Sequence, residues 1–197
     1  MSRPVGRDSE NTKKFIKEVA TKIFDYKGYT ATSMEDIKKE TNLSKGTIYY
    51  HFKNKEDLYL YCLTQASNDF VDKWGIISKK ESNAEEKLYS WAKLNSMELQ
   101  QPLTNTIPEY LVSVKKDDYT PFIDMFKYEF DIIQAILEEG KKSGEFKSDL
   151  NIESTTHILF SLISSLSNSF FFGYKTPEGQ RNLYTNAIDI IIHGLKA

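Results

Sequence analysis

A chain of 197 residues with 40% hydrophobic and 13% aromatic content can bury one good core and a small second domain, and it is globular rather than disordered. Its single cysteine, Cys62, excludes an intramolecular disulfide and any multi-thiolate metal site. The net charge of -2 hides an asymmetry: residues 1–55 carry 12 Lys/Arg against 7 Asp/Glu, and residues 56–197 carry 14 against 21, so a polyanionic partner would be met by the first segment.

Met1 to Ser9 reads as a polar arm containing Arg3 and Arg7, with helical periodicity from about Asn11. Phe15, Val19, Ala20, Ile23 and Phe24 then recur at spacings of 3 and 4, an apolar face whose partners are Ile37, Leu43, Ile48 and Phe52 in a three-helix core. Gly28 suits a C-cap that needs φ > 0. Ser33 opens a second helix as one half of a capping box with Asp36, and that helix ends near Thr41-Asn42. Leu43 fills the corner. Ser44 caps a short third helix whose face and first turn carry Lys45, Gly46, Thr47, Tyr49 and Tyr50. Helix geometry sends one of two adjacent positions off the core, and Tyr49 is expected outward; His51 reads as a packed or capping histidine. Asn54 starts the next helix with Lys55 in its first turn, where backbone N–H groups and an ammonium together suit a phosphate oxygen. A helix, a tight turn and a short second helix make a helix-turn-helix, a DNA reader.

The run Leu43-Ser44-Lys45-Gly46-Thr47-Ile48-Tyr49-Tyr50-His51-Phe52-Lys53-Asn54-Lys55-Glu56-Asp57-Leu58 resembles the DNA-binding signature of the tetracycline-repressor (TetR) family of bacterial regulators. Phe24, Gly28, Tyr29, Thr32, Ser33 and Ile37 sit where that family places its first-helix core, its glycine turn and its second-helix cap. The match covers about the first 60 residues. The resemblance implies that Lys45, Gly46 and Tyr49 face the major groove, that Tyr50 and His51 flank it, and that Thr47 and Lys55 contact phosphates. Lys45 is then a candidate for guanine O6/N7, with Gly46 allowing close approach. Glu35 stands where some members place a basic base-reading residue, so it would accept from a cytosine amino group or face solvent.

From Lys55, the positions Leu58, Tyr61, Cys62, Gln65, Ala66, Phe70 and Trp74 describe a connecting helix. Asn83, with Glu86 three residues on, opens another, whose apolar set is Leu88, Trp91, Ala92, Met97 and Leu99; Pro102 stops it after Gln101. A short piece follows at Ile107 to Val114. Thr120-Pro121 then supplies an N-cap and N1 proline for a long helix with Phe122, Ile123, Phe126, Phe130, Ile133 and Leu137, ending at Gly144. Asn151 to Phe172 is apolar almost all round, with Ser161, Ser164, Ser165, Ser167 and Ser169 interleaved. Those serines, with Glu153, Thr155, Thr156, His157 and Asn168, argue against a membrane span. Thr176-Pro177 starts a last helix carrying Leu183, Ala187, Ile188, Ile190, Ile191, Ile192 and Leu195, with Gly194 as its expected C-cap.

The expected fold is all-α, about nine helices, with a helix-turn-helix domain over 1–55 and an effector-binding and dimerisation domain over 56–197. The last two helices carry more apolar surface than a monomer leaves in water, and are read as a homodimer interface. Trp91, Met97, Tyr110, Phe126, Phe130 and Phe160, with Asn95, Ser161 and Ser164 as polar anchors, suit a small apolar or aromatic effector; each is equally well accounted for as core. His157 and His193 lack neighbours at ligand spacing, so no metal is expected, and Cys62 reads as a small buried hydrophobe. No catalytic constellation or cofactor motif appears, which argues against an enzyme, and no signal peptide appears, which points to the cytoplasm. The function read from these features is a ligand-responsive regulator, by family resemblance a repressor, that binds a pseudo-palindromic operator as a dimer and is released by its effector. The alternative is a dimeric co-regulator without sequence-specific DNA binding.

Overall fold

The computed structural model describes residues 5–98, 102–114 and 120–196. They form nine α-helices: α1 Val5–Ala31, α2 Met34–Thr41, α3 Lys45–His51, α4 Lys55–Ile77, α5 Ala84–Glu98, α6 Ile107–Val114, α7 Thr120–Ser143, α8 Ile152–Leu166 and α9 Pro177–Leu195. Packing divides the chain into two compact units, one of residues 1–67 with 101–119, the other of 68–100 with 120–197. This differs from a division after residue 55 for a physical reason. Tyr59, Cys62 and Leu63 at the start of α4 are buried, and the segment Pro102–Val114 returns to pack on α1. Expectations placed on Arg3, Leu99 and Gln101, and on the side chains of Arg7, Pro102, Thr120, Pro121 and Phe122, fall outside the described residues.

In the first unit, α1 begins at Val5 rather than near Asn11. Its buried stripe is Ile16, Ala20, Ile23 and Phe24; the last three are as the apolar spacing suggested, while Phe15 is exposed and Ile16 takes its place. The helix breaks at Gly28, whose φ of 81° and ψ of 169° lie outside helical space. Ser33 caps α2 through a complete capping box with Asp36, and Asn42 ends it in left-handed geometry. Lys27 pairs with Asp36 at 2.7 Å, and that bond, with those from Ser33, holds the Asp36 carboxyl well below the usual range. Ile37, Ile48, Phe52 and Leu58 close the core from the other helices. Phe24, Tyr29, Tyr59 and Tyr110 stack into an aromatic cluster, with centroids 4.7 to 6.1 Å apart. Cys62 lies buried against the Lys17 carbonyl at 3.8 Å, and burial pushes its thiol up to about 11.

In the second unit α5, α7, α8 and α9 surround a core that includes Leu88, Trp91, Ile133, Leu137, Leu159, Ile163, Tyr184 and Ile188. A Cβ at Gly140 would come within 2.3 Å of the Phe146 ring, so only glycine admits this turn's close return. Phe146 N–H donates to Gly140 O and Lys147 N–H to Leu195 O, which ties the end of α9 to the end of α7. α8 is shorter than the apolar run, giving way to a 3-10 segment at Ser167–Phe172. Gly194 lies inside α9, and Lys196, with helical bonding to Ile192 O, is the cap. Ile158, Ile190, Phe171 and Phe172 are exposed. Among the described residues no helix is long and apolar enough to cross a membrane.

Candidate nucleic-acid interface and effector region

The recognition face grows out of α3. Ser44 Oγ accepts from Thr47 N–H at 3.1 Å and bonds Thr47 Oγ1 at 2.8 Å, so both hydroxyls are fixed at the helix start. Ile48 is 1% exposed and anchors the helix; Tyr49 at 43% and Tyr50 at 78% both face outward. Tyr49 is outward as expected, but neither tyrosine belongs to the core, because Ile48 and Phe52 supply its apolar contacts. Lys45 Nζ lies 5.6 Å from the Tyr49 ring centroid, which brings the two groove-facing candidates together. A Cβ added at Gly46 would meet only Ser44 Oγ, at 3.7 Å. The fold does not require glycine there, whereas a closely approaching duplex backbone would. His51 stacks edge-on to Tyr50 at 5.0 Å, a packed histidine. Ser33 is occupied with its capping box, and Glu35 pairs with Lys38 at 2.7 Å.

Lys55 is held in a defined position. Its Nζ donates to Tyr29 O at 2.8 Å and reaches Thr30 O at 3.4 Å, and it sits 4.2 Å over the Tyr29 ring. The N–H groups of those same two residues are taken by Glu109 of α6, from Tyr29 at 3.2 Å and from Thr30 at 2.7 Å. Bonds from Thr30 and Tyr29, with the nearby Lys55 charge, lower the Glu109 pKa; partial burial lowers that of Lys55. Sequence reading missed Glu109, since nothing local to α6 shows that it docks eighty residues back along the chain.

The expected effector set does not come together as one site. Trp91 and Asn95 are buried on α5, and Asn95 Nδ2 donates to Trp91 O at 3.1 Å. Phe126, Phe130 and Phe160 form a half-buried cluster, with centroids 4.5 and 5.6 Å apart, and Phe160 packs against the core that contains Trp91. Met97, Ser161 and Ser164 are exposed. Tyr110 belongs to the first unit, where its hydroxyl donates to Glu56 at 2.8 Å. An open groove of about 720 Å³, lined by Trp74, Tyr128, Asp131, Ile132 and Glu139 among others, contains none of the expected residues.

What the reading missed in the second unit is Glu129 of α7. Its buried carboxyl is pushed up to about 7 by burial, against support from Asn95 and Trp91. Burial and the Glu129 charge also raise the Tyr184 pKa. Trp91 Nε1 and the Tyr184 hydroxyl are buried without a well-formed hydrogen bond. The signal was present: 129 falls three after Phe126 and four before Ile133, a carboxylate on an apolar face. Among the described residues no group of three or more His, Cys, Asp or Glu is arranged to hold a metal.

Comparison with known proteins places both units. Residues 16–62 match the family model described as bacterial regulatory proteins, tetR family, and residues 66–197 match that described as QacR-like protein, C-terminal region. The HTH-type transcriptional regulator QacR of Staphylococcus aureus is 32% identical over 139 residues, 69% of this chain and 74% of the relative. The fatty acid metabolism regulator protein of Bacillus subtilis is 26% identical over 165 residues, 75% and 77% of the two chains. The crystal structure of the transcriptional regulator FadR from Bacillus subtilis in complex with stearoyl-CoA superposes with a TM-score of 0.79 at 20% identity, covering 92% of this chain and 98% of that one.

Proposed function

Because the chain belongs to the tetracycline-repressor (TetR) family of bacterial regulatory proteins, we propose that it is a cytoplasmic, ligand-responsive repressor that binds a pseudo-palindromic operator as a homodimer. The carrying observation is the exposed face of α3, where Lys45, Gly46, Tyr49 and Tyr50 stand clear of a core built by Ile48 and Phe52. Lys45 reads a base edge and Gly46 admits the duplex, while Thr47 and Lys55 hold phosphates. Ile158 and Ile190, exposed on α8 and α9, support pairing through those helices.

The effector is a small apolar or aromatic molecule held by the second unit, whose preference for one of two states shifts the population off DNA. Trp91, Asn95, Phe126, Phe130 and Phe160 support that assignment, and Glu129 refines it. An uncompensated buried carboxylate is costly, so a positive centre on the effector would offset it.

The test is selection of duplexes from a random pool by the purified protein, followed by titration of the winner with Tyr49→Ala as control. A pseudo-palindromic winner, lost in the control, is the expected result. If no sequence is enriched and binding merely fades with salt, the repressor reading fails and the chain acts as an interaction module.

A further inference from the structure

The backbone groups of Tyr29 and Thr30 decide where the Lys55 ammonium sits. The break at Gly28 deprives Tyr29 and Thr30 of the regular helical bonds of their turn. Their N–H groups donate to the Glu109 carboxylate, and their carbonyls accept from Lys55 Nζ. The Tyr29–Thr30 peptide is therefore bracketed, with a negative charge at its N–H and a positive charge at its carbonyl, and the peptides on either side each meet one of the two charges. Position 28 is shaped to the arrangement, because a Cβ there would lie 2.5 Å from Glu109 Oε2. An ammonium has three donors, and two carbonyls take at most two of them. One remains for a phosphate, at a helix start that already favours anions.

We propose that Glu109 is a positioning residue for DNA binding: through the Tyr29 and Thr30 peptides it fixes the Lys55 ammonium where it neutralises a backbone phosphate. This rests on the DNA-binding reading above, and it assigns to α6 a part in the reader that its distance in sequence conceals. Glu109 itself touches no nucleic acid. Without it, residues 29 and 30 lose their acceptor, the carbonyls lose their fixed direction, and Lys55 becomes one more mobile lysine.

The experiment measures affinity for the selected operator and for bulk duplex at several salt concentrations, using the full chain as wild type, Lys55→Met, Glu109→Ala and the double variant. Each phosphate neutralised contributes about 0.9 to the slope of log affinity against log salt. Lys55→Met is expected to lower the slope by about twice that amount, one phosphate for each subunit of the proposed homodimer. Glu109→Ala is expected to lower it similarly, and the double variant no further, with the ratio of operator to bulk affinity unchanged in all three. A purely structural Glu109 would lower the melting temperature and leave the slope alone. That result, or additive slope losses, overturns the proposal. Should Glu109→Ala fail to fold, Glu109→Met, which keeps the side-chain volume without an oxygen acceptor, is read in its place against the same criterion. A wild type with no operator preference sinks the repressor reading, while its slope on bulk duplex still decides the part played by Glu109.

Discussion

In the first unit the residues that would meet DNA lie within one short stretch, from Ser33 to Lys55, and are oriented by bonds spanning three or four positions: Ser33 to Asp36, Ser44 to Thr47. In the second unit the most unusual chemistry, the buried carboxyl of Glu129 beside Trp91, Asn95 and Tyr184, is assembled from α5, α7 and α9. The reader is thus a surface built by local caps over a core that need only be apolar. The effector region is an interior, and its polar groups acquire meaning only once three helices have packed. A substitution in the first kind of site should separate binding from folding; one in the second should entangle them.

The contrast can be broken first at the core beneath the reader. Phe24 is fully buried, with its ring 5.0 Å from that of Tyr59. Phe24→Ala should cost about 3–5 kcal/mol and abolish operator binding together with thermal stability, seen by circular dichroism. Operator affinity persisting at wild-type strength would mean that the reader does not depend on that core.

Glu129 tests the interior. Its folded pKa of about 7 lies above the ordinary glutamate value of 4.5, so between these values the native state holds more protons than the unfolded chain, and stability falls as pH rises through that window. The loss approaches on the order of 3 kcal/mol above pH 7. Urea denaturation at pH 5 and pH 8 should show this loss in the wild type relative to Glu129→Gln, whose amide cannot ionise. Equal pH dependence in the two proteins would deny the carboxyl its burial.

Lys45→Ala should leave the melting curve unchanged and reduce discrimination at one base position by about 1–3 kcal/mol, roughly fivefold to 150-fold, in titrations of operator variants. Gly46→Ala sharpens the comparison most finely. Open space around the added methyl and better helix propensity should raise stability by up to about 1 kcal/mol while weakening DNA binding. An unchanged operator affinity would show that the duplex does not approach the α3 backbone there.

Legibility in the sequence follows the same division. The caps at Ser33 and Ser44, the helix end near Asn42 and the positive φ at Gly28 were readable because a cap is a statement about neighbours in the chain. Phe15 was misplaced, since both it and Ile16 fit an apolar spacing and only packing selects Ile16. Ser161 and Ser164 were misassigned for a related reason: a helix apolar almost all round does not declare its inward face. Tyr110 was assigned to the effector because α6 shows no sign in its own eight residues that it docks on α1. Glu129 alone left a readable trace, a carboxylate within an apolar stripe, which a search for polar residues out of pattern would have found.

The burial of Cys62 has a practical consequence. With its thiol raised to about 11 and enclosed against α1, the natural cysteine is nearly inert to alkylating reagents at neutral pH. A cysteine introduced at Tyr26, which is 89% exposed, would then be the single labelling point on each chain. In the proposed homodimer, paramagnetic or fluorescent tags placed there would read the distance between the two copies of the first unit directly, with and without a bound small molecule, and without first removing a native thiol.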